Sequence, residues 1–322
     1  MSRVEYTAAI VRVMATGGAG FIGSHLVDAL LRRGHEVVVV DDLSSGESGQ
    51  VDAAAALHRF DIRSPEVAEL VRDWRPDVIF HLAAQMSVSR SVREPLHDAG
   101  VNVHGSLLLL EAARNVDARI VFASSGGAVY GDAPVVPTPE TCMPRPVSPY
   151  AVSKLAFEHY LRCYRAQHGL FYTVLRYGNV YGPRQSPHGE AGVVAIFCER
   201  LLTGRTAVIN GDGRFTRDYV YVDDVVEANL AALDRPVVGH FNVGTGRPVD
   251  VNRLFRIVAD AAGVDAPEVH GPARPGDVRA SALDCALIRT ELGWAPRVRL
   301  EDGVRRTLAW FRERLAAAAP AR

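Results

Sequence analysis

The sequence predicts an α/β protein, a doubly wound parallel sheet followed by a smaller C-terminal α/β substrate lobe. Three observations carry this. Between Val13 and Asp42 a glycine-rich turn joins an apolar run to an amphipathic helical stretch and then to a run of valines. Short β-branched runs alternate with helical periodicity as far as about residue 175, as parallel strands joined by crossover helices do. Beyond Tyr181 the alternation gives way to a region rich in proline and glycine, with shorter elements. The chain therefore divides into 1–181 and 182–322, with a segment of about 222–245 expected to return to the large sheet.

The first strand is the apolar run Ile10 to Ala15. It stops at Gly17, Gly18, Gly20 and Gly23, after which Leu26, Ala29 and Leu30 recur at helical spacing. Past Gly34, four valines run into Asp41. This is one βαβ unit, the opening of a Rossmann-type sheet. Glycines in the turn let the backbone approach a pyrophosphate, and the helix that begins there points its free N–H groups at the same place. Asp41 lies 18 residues past Gly23, where a carboxylate can accept both ribose hydroxyls of a dinucleotide. Asp41-Asp42, with no Arg beside them, favours NAD over NADP, because a 2′-phosphate would meet two carboxylates.

The next strand, 56–60, leads to Asp61-Ile62, placed to contact an adenine ring or, for the aspartate, to cap its own loop. A helix over 65–74 precedes a strand over 77–81, which ends in Leu82-Ala83-Ala84, small enough for a cofactor to lie against the backbone. A long helix over 98–115 follows, with Val101, Leu108 and Ala112 on its apolar face. It carries Asn102, either a surface residue or a hydrogen bonder behind the site. The strand 118–124 then ends at Ser124-Ser125. The glycine turn, Asp41, Leu82-Ala83-Ala84 and Ser124-Ser125 all fall at carboxyl ends of strands, where open α/β sheets bind ligands.

Ser148 and Pro149 suit the N-cap and first position of a further helix. Tyr150 and Lys154 then share one face of it. A phenol with a pKa of about 10 is a poor base. A nearby ammonium and an oxidised nicotinamide, both cationic, favour the phenolate. Ser124 or Ser125 can supply a hydroxyl to the same substrate oxygen. In the second lobe the periodicity predicts helices over 193–202, 223–233, 251–262 and 301–314, and strands over 207–209, 218–222 and 240–243. The cleft between lobes is the expected binding site.

Composition narrows the classes. The 322-residue chain is 48% hydrophobic with a formal charge of −1, which gives no global electrostatic case for nucleic acid or an anionic membrane. It holds no 18-residue apolar run, and Arg3, Glu5 and Arg12 do not fit a signal peptide. Cys142, Cys163, Cys198 and Cys285 are far apart, so free thiols and a cytoplasmic location are expected, with no metal site.

TGGAGFIG, HLAAQ, SSGGAVYG, SPYAVSK, RYGNVYGPRQ and RDYVYVDD resemble the extended short-chain dehydrogenase/reductases that act on nucleotide sugars, in particular the NAD-dependent epimerases. The spacing Gly17-x-x-Gly20-x-x-Gly23 fits that family, and the likeness runs from about Val13 to Trp310. It implies that NAD lies along Gly17, Gly20, Phe21, Ile22 and Gly23, with Asp41, Asp42, Ser45 and Gly46 at the ribose. Asp61, Ile62, Leu82, Ala83, Ala84, Asn102, Ala123, Tyr150, Lys154 and Tyr177 would complete the cofactor site. Tyr150 would be the base, Lys154 its partner and ribose ligand, and Ser125 with Ser124 the hydroxyl near the sugar's 4-oxygen.

For a UDP-sugar, the likeness implies Asn179, Arg217 and Arg274 on the diphosphate, with Gly192 and Val193 opening a helix toward it. Asp277 belongs to the same Arg-x-x-Asp segment. Asn210 stands where relatives often stack an aromatic on uracil. Ser281 falls where a large residue narrows the pocket around the sugar's C2 substituent and a small one leaves room for an N-acetyl group. Relatives also pair the long helices near Asn102 and Tyr160 into a homodimer.

Dehydratases of the family place Asp-Glu after the active hydroxyl residue and decarboxylating members a Glu. Here those positions are Gly126 and Gly127. No Cys or Lys matches the bases that invert C3 or C5. The expected reaction is 4-epimerisation of a UDP-hexose, UDP-glucose/UDP-galactose and the N-acetylated pair among them. A 4-epimerase of UDP-glucuronate or another NDP-sugar, a net oxidoreductase and a non-catalytic NAD sensor are the alternatives. The Tyr150/Lys154 pair counts against the last.

Overall fold

The computed structural model describes residues 10–188, 192–273 and 278–318. The elements run β1 (Arg12–Thr16), α1 (Phe21–Arg32), β2 (Glu36–Val40), β3 (Ala56–His58), α2 (Pro65–Trp74), β4 (Val78–His81), α3 (Val88–Arg93) and α4 (Pro95–Ala99). After a π turn at Gly100–Gly105 come α5 (Ser106–Arg114), β5 (Arg119–Ser125), α6 (Gly126–Val129), α7 (Pro149–His168), β6 (Tyr172–Tyr177) and β7 (Asn179–Tyr181). The chain continues with α8 (Val193–Leu202), β8 (Val208–Asn210), β9 (Thr216–Tyr221), α9 (Val222–Asp234), β10 (Gly239–Val243) and β11 (Pro248–Asp250). It ends with α10 (Val251–Ala262), β12 (Val269–Gly271), α11 (Ala286–Leu292) and α12 (Leu300–Ala318).

Seven strands form the large sheet in the order β10-β6-β5-β4-β1-β2-β3, all parallel. Near-continuous apolar strands such as Val37–Val40 belong in such a sheet because helices cover both faces. One face packs Val27, Leu30 and Val225, the other Leu109, Phe157 and Leu161. The chain leaves β1 toward β2 on one side and returns through β4 on the other. That reversal opens a crevice at the carboxyl ends of β1 and β4.

The C-terminal part has its own core of Phe197, Leu254, Phe255 and Leu308. Around it lie a three-stranded sheet, β11-β9-β7, and a parallel pair, β12-β8. β10 comes back to pair with β6 from Gly239↔Thr173 to Val243↔Tyr177. Among the described residues no helix is long and apolar enough to cross a membrane, no His, Cys, Asp and Glu cluster could hold a metal, and all four cysteines are free.

The expected helix over 98–115 is where the structure departs most. It is divided by the π turn, which adds one residue to a turn and rotates every later side chain relative to an unbroken helix. Leu108 is consequently 37% exposed, while Leu109, Leu110 and Ala113 are buried with Ala112. α3, α6, β7, β11, β12 and α11 have no counterpart in the sequence reading. Each is short, and the three strands pair with strands distant in sequence.

Candidate active site

The turn after β1 is a cradle with no room for a Cβ at Gly17 or Gly23. Gly17 has φ +72°, and a Cβ there would lie 2.6 Å from the Ala83 nitrogen. A Cβ on Gly23 would lie 2.1 Å from the Gly17 oxygen, locking α1 against the turn. Gly20 caps α1 with no side-chain hydrogen bond, and the first turn holds no acid. Its leading amides therefore point outward uncapped, as a phosphate site requires.

Asp41 is buried at the end of β2, its Oδ2 accepting from Ala19 N at 3.0 Å and its Oδ1 from Leu43 N at 2.9 Å. Burial pushes its pKa up, the two amides oppose this, and Asp42 nearby adds to the rise. Each carboxylate oxygen keeps lone-pair capacity for ribose. Gly46 packs on Ala19. These features fit a dinucleotide: bare amides for pyrophosphate and an acceptor for ribose.

Ser148 caps α7, its hydroxyl accepting from Ala151 N at 3.2 Å, and so fixes where Tyr150 and Lys154 emerge. Lys154 is buried, and its Nζ donates to Ala123 O at 2.9 Å. The ammonium lies 5.9 Å from the Tyr150 ring centroid. Burial lowers Lys154 to about 8, with Asp98 and Glu158 opposing. Burial also raises Tyr150 to about 12, although the Ser125 hydroxyl beside it pulls the other way. The phenol thus needs added positive charge to act as a base.

Just beyond Ser125, a Cβ on Gly126 would lie 2.6 Å from Leu283, and one on Gly127 3.5 Å from Asn179 Oδ1 and 3.9 Å from Ser281 Oγ. The two glycines therefore make room where the 281–283 segment closes on β5. Asn179 and the buried Ser281 face one another across that space, next to Ser125. Arg217 on β9 donates to Thr216 O at 2.9 Å and has no ion pair among the described residues. Gly192 and Val193 start α8 without a side-chain cap or a first-turn acid.

The sequence pattern of the NAD dependent epimerase/dehydratase family matches residues 13–244. The chain belongs to this family. A UDP-glucose 4-epimerase of Mycolicibacterium smegmatis is 50% identical over 313 residues, covering 94% of this chain and 99% of that protein. The UDP-glucose 4-epimerase of Thermotoga maritima, solved with UDP-glucose, superposes with a TM-score of 0.93 at 50% identity, over 94% and 99% of the two chains. The Thermus thermophilus enzyme of the same name, solved with NAD, gives 0.89 at 49%, again over 94% and 99%.

Within this epimerase/dehydratase site several expected contacts are placed differently. Ser124 is buried and donates to Glu158 Oε1 at 2.6 Å, so its hydroxyl is engaged and Ser125 alone is left beside Tyr150. The Tyr177 hydroxyl turns into the core and meets the Asn229 amide at 2.8 Å. Ile62 is a core residue against Gly105. Asp61 is bound by Arg63 through its Nε, Nη2 and backbone N, closing its own loop. Asp42 is exposed and holds Ser44 N at 2.8 Å.

Asn102 is buried behind the site. It accepts from Gln85 N at 2.8 Å and donates to Gln85 O, Asp98 and Ser153. Ser45 is exposed, and Leu82, Ala83 and Ala84 line the end of β4 half-buried, with Phe21 and Ile22 opening α1. Asn210 is exposed at the end of β8. Arg274 and Asp277 lie outside the described residues, as do 189–191 of the expected phosphate segment.

Sequence reasoning missed the support behind Tyr150 and Lys154. Arg176 on β6 holds Glu158 through Nε at 3.0 Å and Nη2 at 2.5 Å, and its Nη1 donates to the Tyr130 hydroxyl at 2.8 Å. Two signals were available: an arginine inside an apolar strand, and a glutamate one turn after Lys154.

Proposed function

We propose that the chain is an NAD-dependent 4-epimerase of UDP-hexoses, interconverting UDP-glucose and UDP-galactose, and that it works in the cytoplasm. What carries the reading is Ser125, Tyr150 and Lys154 converging where the following residues are Gly126 and Gly127. That strand end offers no titratable side chain to drive elimination or decarboxylation.

The Gly17–Gly23 turn and Asp41 would hold NAD, with Lys154 moving from Ala123 O to the nicotinamide ribose. Bound there, NAD supplies a hydride acceptor and donor. Lys154 and the cofactor's charge lower the Tyr150 pKa, and the phenolate takes the proton from the sugar's 4-hydroxyl while Ser125 holds the same oxygen. Asn179, Arg217 and the α8 amides bind the diphosphate and leave the 4-keto sugar free to turn. Tyr150 then returns its proton as the opposite face of C4 is reduced, so the protein ends each cycle as it began. The small Ser281 leaves room at C2, so the N-acetylated pair is accepted as well.

The chain is also proposed to act as a homodimer. Val92 on α3, Leu96 on α4, Leu108 on α5, and Val152 and Tyr160 on α7 are all exposed, Leu96 to 88%. They lie on helices packed together, α3, α4 and α5 each against α7, and clustered exposed apolar residues mark an interaction surface. Light scattering at the monomer mass would refute the dimer. The activity is tested by incubating purified protein with UDP- and dTDP-hexoses without added NAD and following the anomeric signals by NMR. Conversion of UDP-galactose to UDP-glucose is expected. Turnover that consumes NADH stoichiometrically would overturn the proposal.

A further inference from the structure

One buried carboxylate has no part in the chemistry above. Asp98 on α4 is 1% exposed. Its Oδ1 accepts from Gln85 Nε2 at 2.8 Å and Asn102 Nδ2 at 3.0 Å, both neutral donors, and it makes no ion pair among the described residues. A buried anion held by neutral donors is costly unless an opposite charge lies close.

The buried cation on the facing helix is Lys154, whose one hydrogen bond is to the neutral Ala123 carbonyl. The π turn that follows α4 is tied to α7 here, because Asn102 Nδ2 also reaches Ser153 Oγ at 3.2 Å, one residue before the lysine. Each charge therefore has neutral partners in hydrogen-bond contact, and α4, which carries Asp98, packs on α7, which carries Lys154.

We propose that Asp98 is the counter-charge of the catalytic lysine, a positioning residue that keeps Lys154 protonated and holds the Asn102 amide behind α7. The other groups facing Lys154 do not fill this role. Glu158, one turn along α7, is neutralised by Arg176 from β6. His81 on β4 stays uncharged in the core, lowered to about 3 by burial and by Lys154 itself. Tyr150 is a neutral phenol raised mainly by burial. Asp98 is left as the uncompensated negative charge, and it acts on both catalytic groups: it holds Lys154 up and adds to the rise of Tyr150.

This gives a signature that a packing role does not produce. Removing the charge lowers both ionisations together, so the whole bell of kcat against pH moves to lower pH without changing its width greatly.

The inference rests on the catalytic reading of Tyr150 and Lys154, and its test has an arm that needs no activity. In the activity arm, Asp98→Asn keeps its bound NAD and a KM within about twofold, and both limbs of the kcat profile fall by about one unit, the lower end of what one nearby charge does. An unmoved profile overturns the proposal.

In the stability arm, melting temperatures are measured for the parent, Asp98→Asn, Lys154→Met and the double variant. Asp98→Asn lowers the melting temperature of the parent but raises it in the Lys154→Met background, where Asp98 would be an unpaired buried anion. Additive effects overturn the proposal. If Asp98→Asn alone does not fold, Lys154→Met against the double variant decides: the double must be the more stable. An inactive parent with a non-additive cycle removes the epimerase reading and leaves the pairing intact.

Discussion

His81 should make the fold sensitive to mild acid. The residue ends β4 with no exposure, and its partners fix its proton. Ala83 N donates to Thr16 Oγ1 at 3.3 Å, so the Thr16 hydroxyl is free to donate to His81 Nδ1 at 2.8 Å. Ser106 Oγ donates to Asn102 O at 2.8 Å, so it accepts from His81 Nε2 at 2.8 Å. The ring is therefore neutral with its proton on Nε2, and a second proton would face a hydroxyl already aimed at Nδ1. Burial first, then the Lys154 charge, bring its pKa to about 3.

The folded value lies below the unfolded value of about 6.5, so the unfolded chain takes the proton first as pH falls. The stability from keeping His81 neutral is whole above about pH 6.5 and is lost progressively down to about pH 3. The slope reaches roughly 1.4 kcal/mol per unit once the unfolded histidine is fully protonated, so acidification from about pH 6.5 to about 4.5 removes about 2.3 kcal/mol. Urea unfolding of wild type and His81→Gln across this range isolates the contribution, since the carboxylates titrating there are common to both. The variant should be less stable at pH 7 and lose stability more slowly on acidification. Parallel curves would refute the reasoning.

Tyr150→Phe should reduce kcat by roughly 10²–10⁴-fold with NAD content unchanged, because one oxygen at the point of proton transfer is lost. A variant near wild-type kcat sinks the mechanism. Ser125→Ala should cost on the order of 10²-fold in kcat, and Ser124→Ala far less in kcat but measurable stability, since it strips a donor from Glu158. Equal kcat losses in steady-state assays would put both hydroxyls on the substrate. Ser281→Tyr should abolish turnover of the N-acetylated sugars selectively, read as kcat/KM on both pairs; equal losses would mean Ser281 is not the gate. Gly17→Ala should leave the purified protein without NAD, since its Cβ would strike the Ala83 backbone; retention of cofactor in its absorbance spectrum would contradict the cradle.

The parts of the fold that follow a fixed period were readable. Pro65–Trp74, Val193–Leu202 and Val251–Ala262 sit where the apolar spacing put them. The return of β10 to the large sheet was readable too, because its apolar stretch follows a helix as a parallel strand should. The π turn was not, because one extra residue in a turn leaves hydropathy unchanged. Leu108 was assigned to the core for that reason. Side-chain direction at strand ends was equally hidden. Ser124 and Ser125 are the same residue type side by side, and only the distant Glu158 separates them. The direction of the Tyr177 hydroxyl is set by Asn229, 52 positions along the chain.

The return of β10 also governs how the protein can be made. β6 is buried along its whole length, yet its outer edge is closed only when Gly239–Val243 arrives, with residues 178–238 in between. At translation rates of about 5–20 residues per second, that edge stays unpaired for roughly 3–12 s after β6 is synthesised. The intervening segment supplies only β7 and β9 of the three-stranded sheet meanwhile, since β11 follows β10, and neither pairs with β6. A nascent chain of this protein therefore carries a sticky apolar border through mid-synthesis, and ribosome stalling before Gly239 would yield aggregates rather than a half-enzyme.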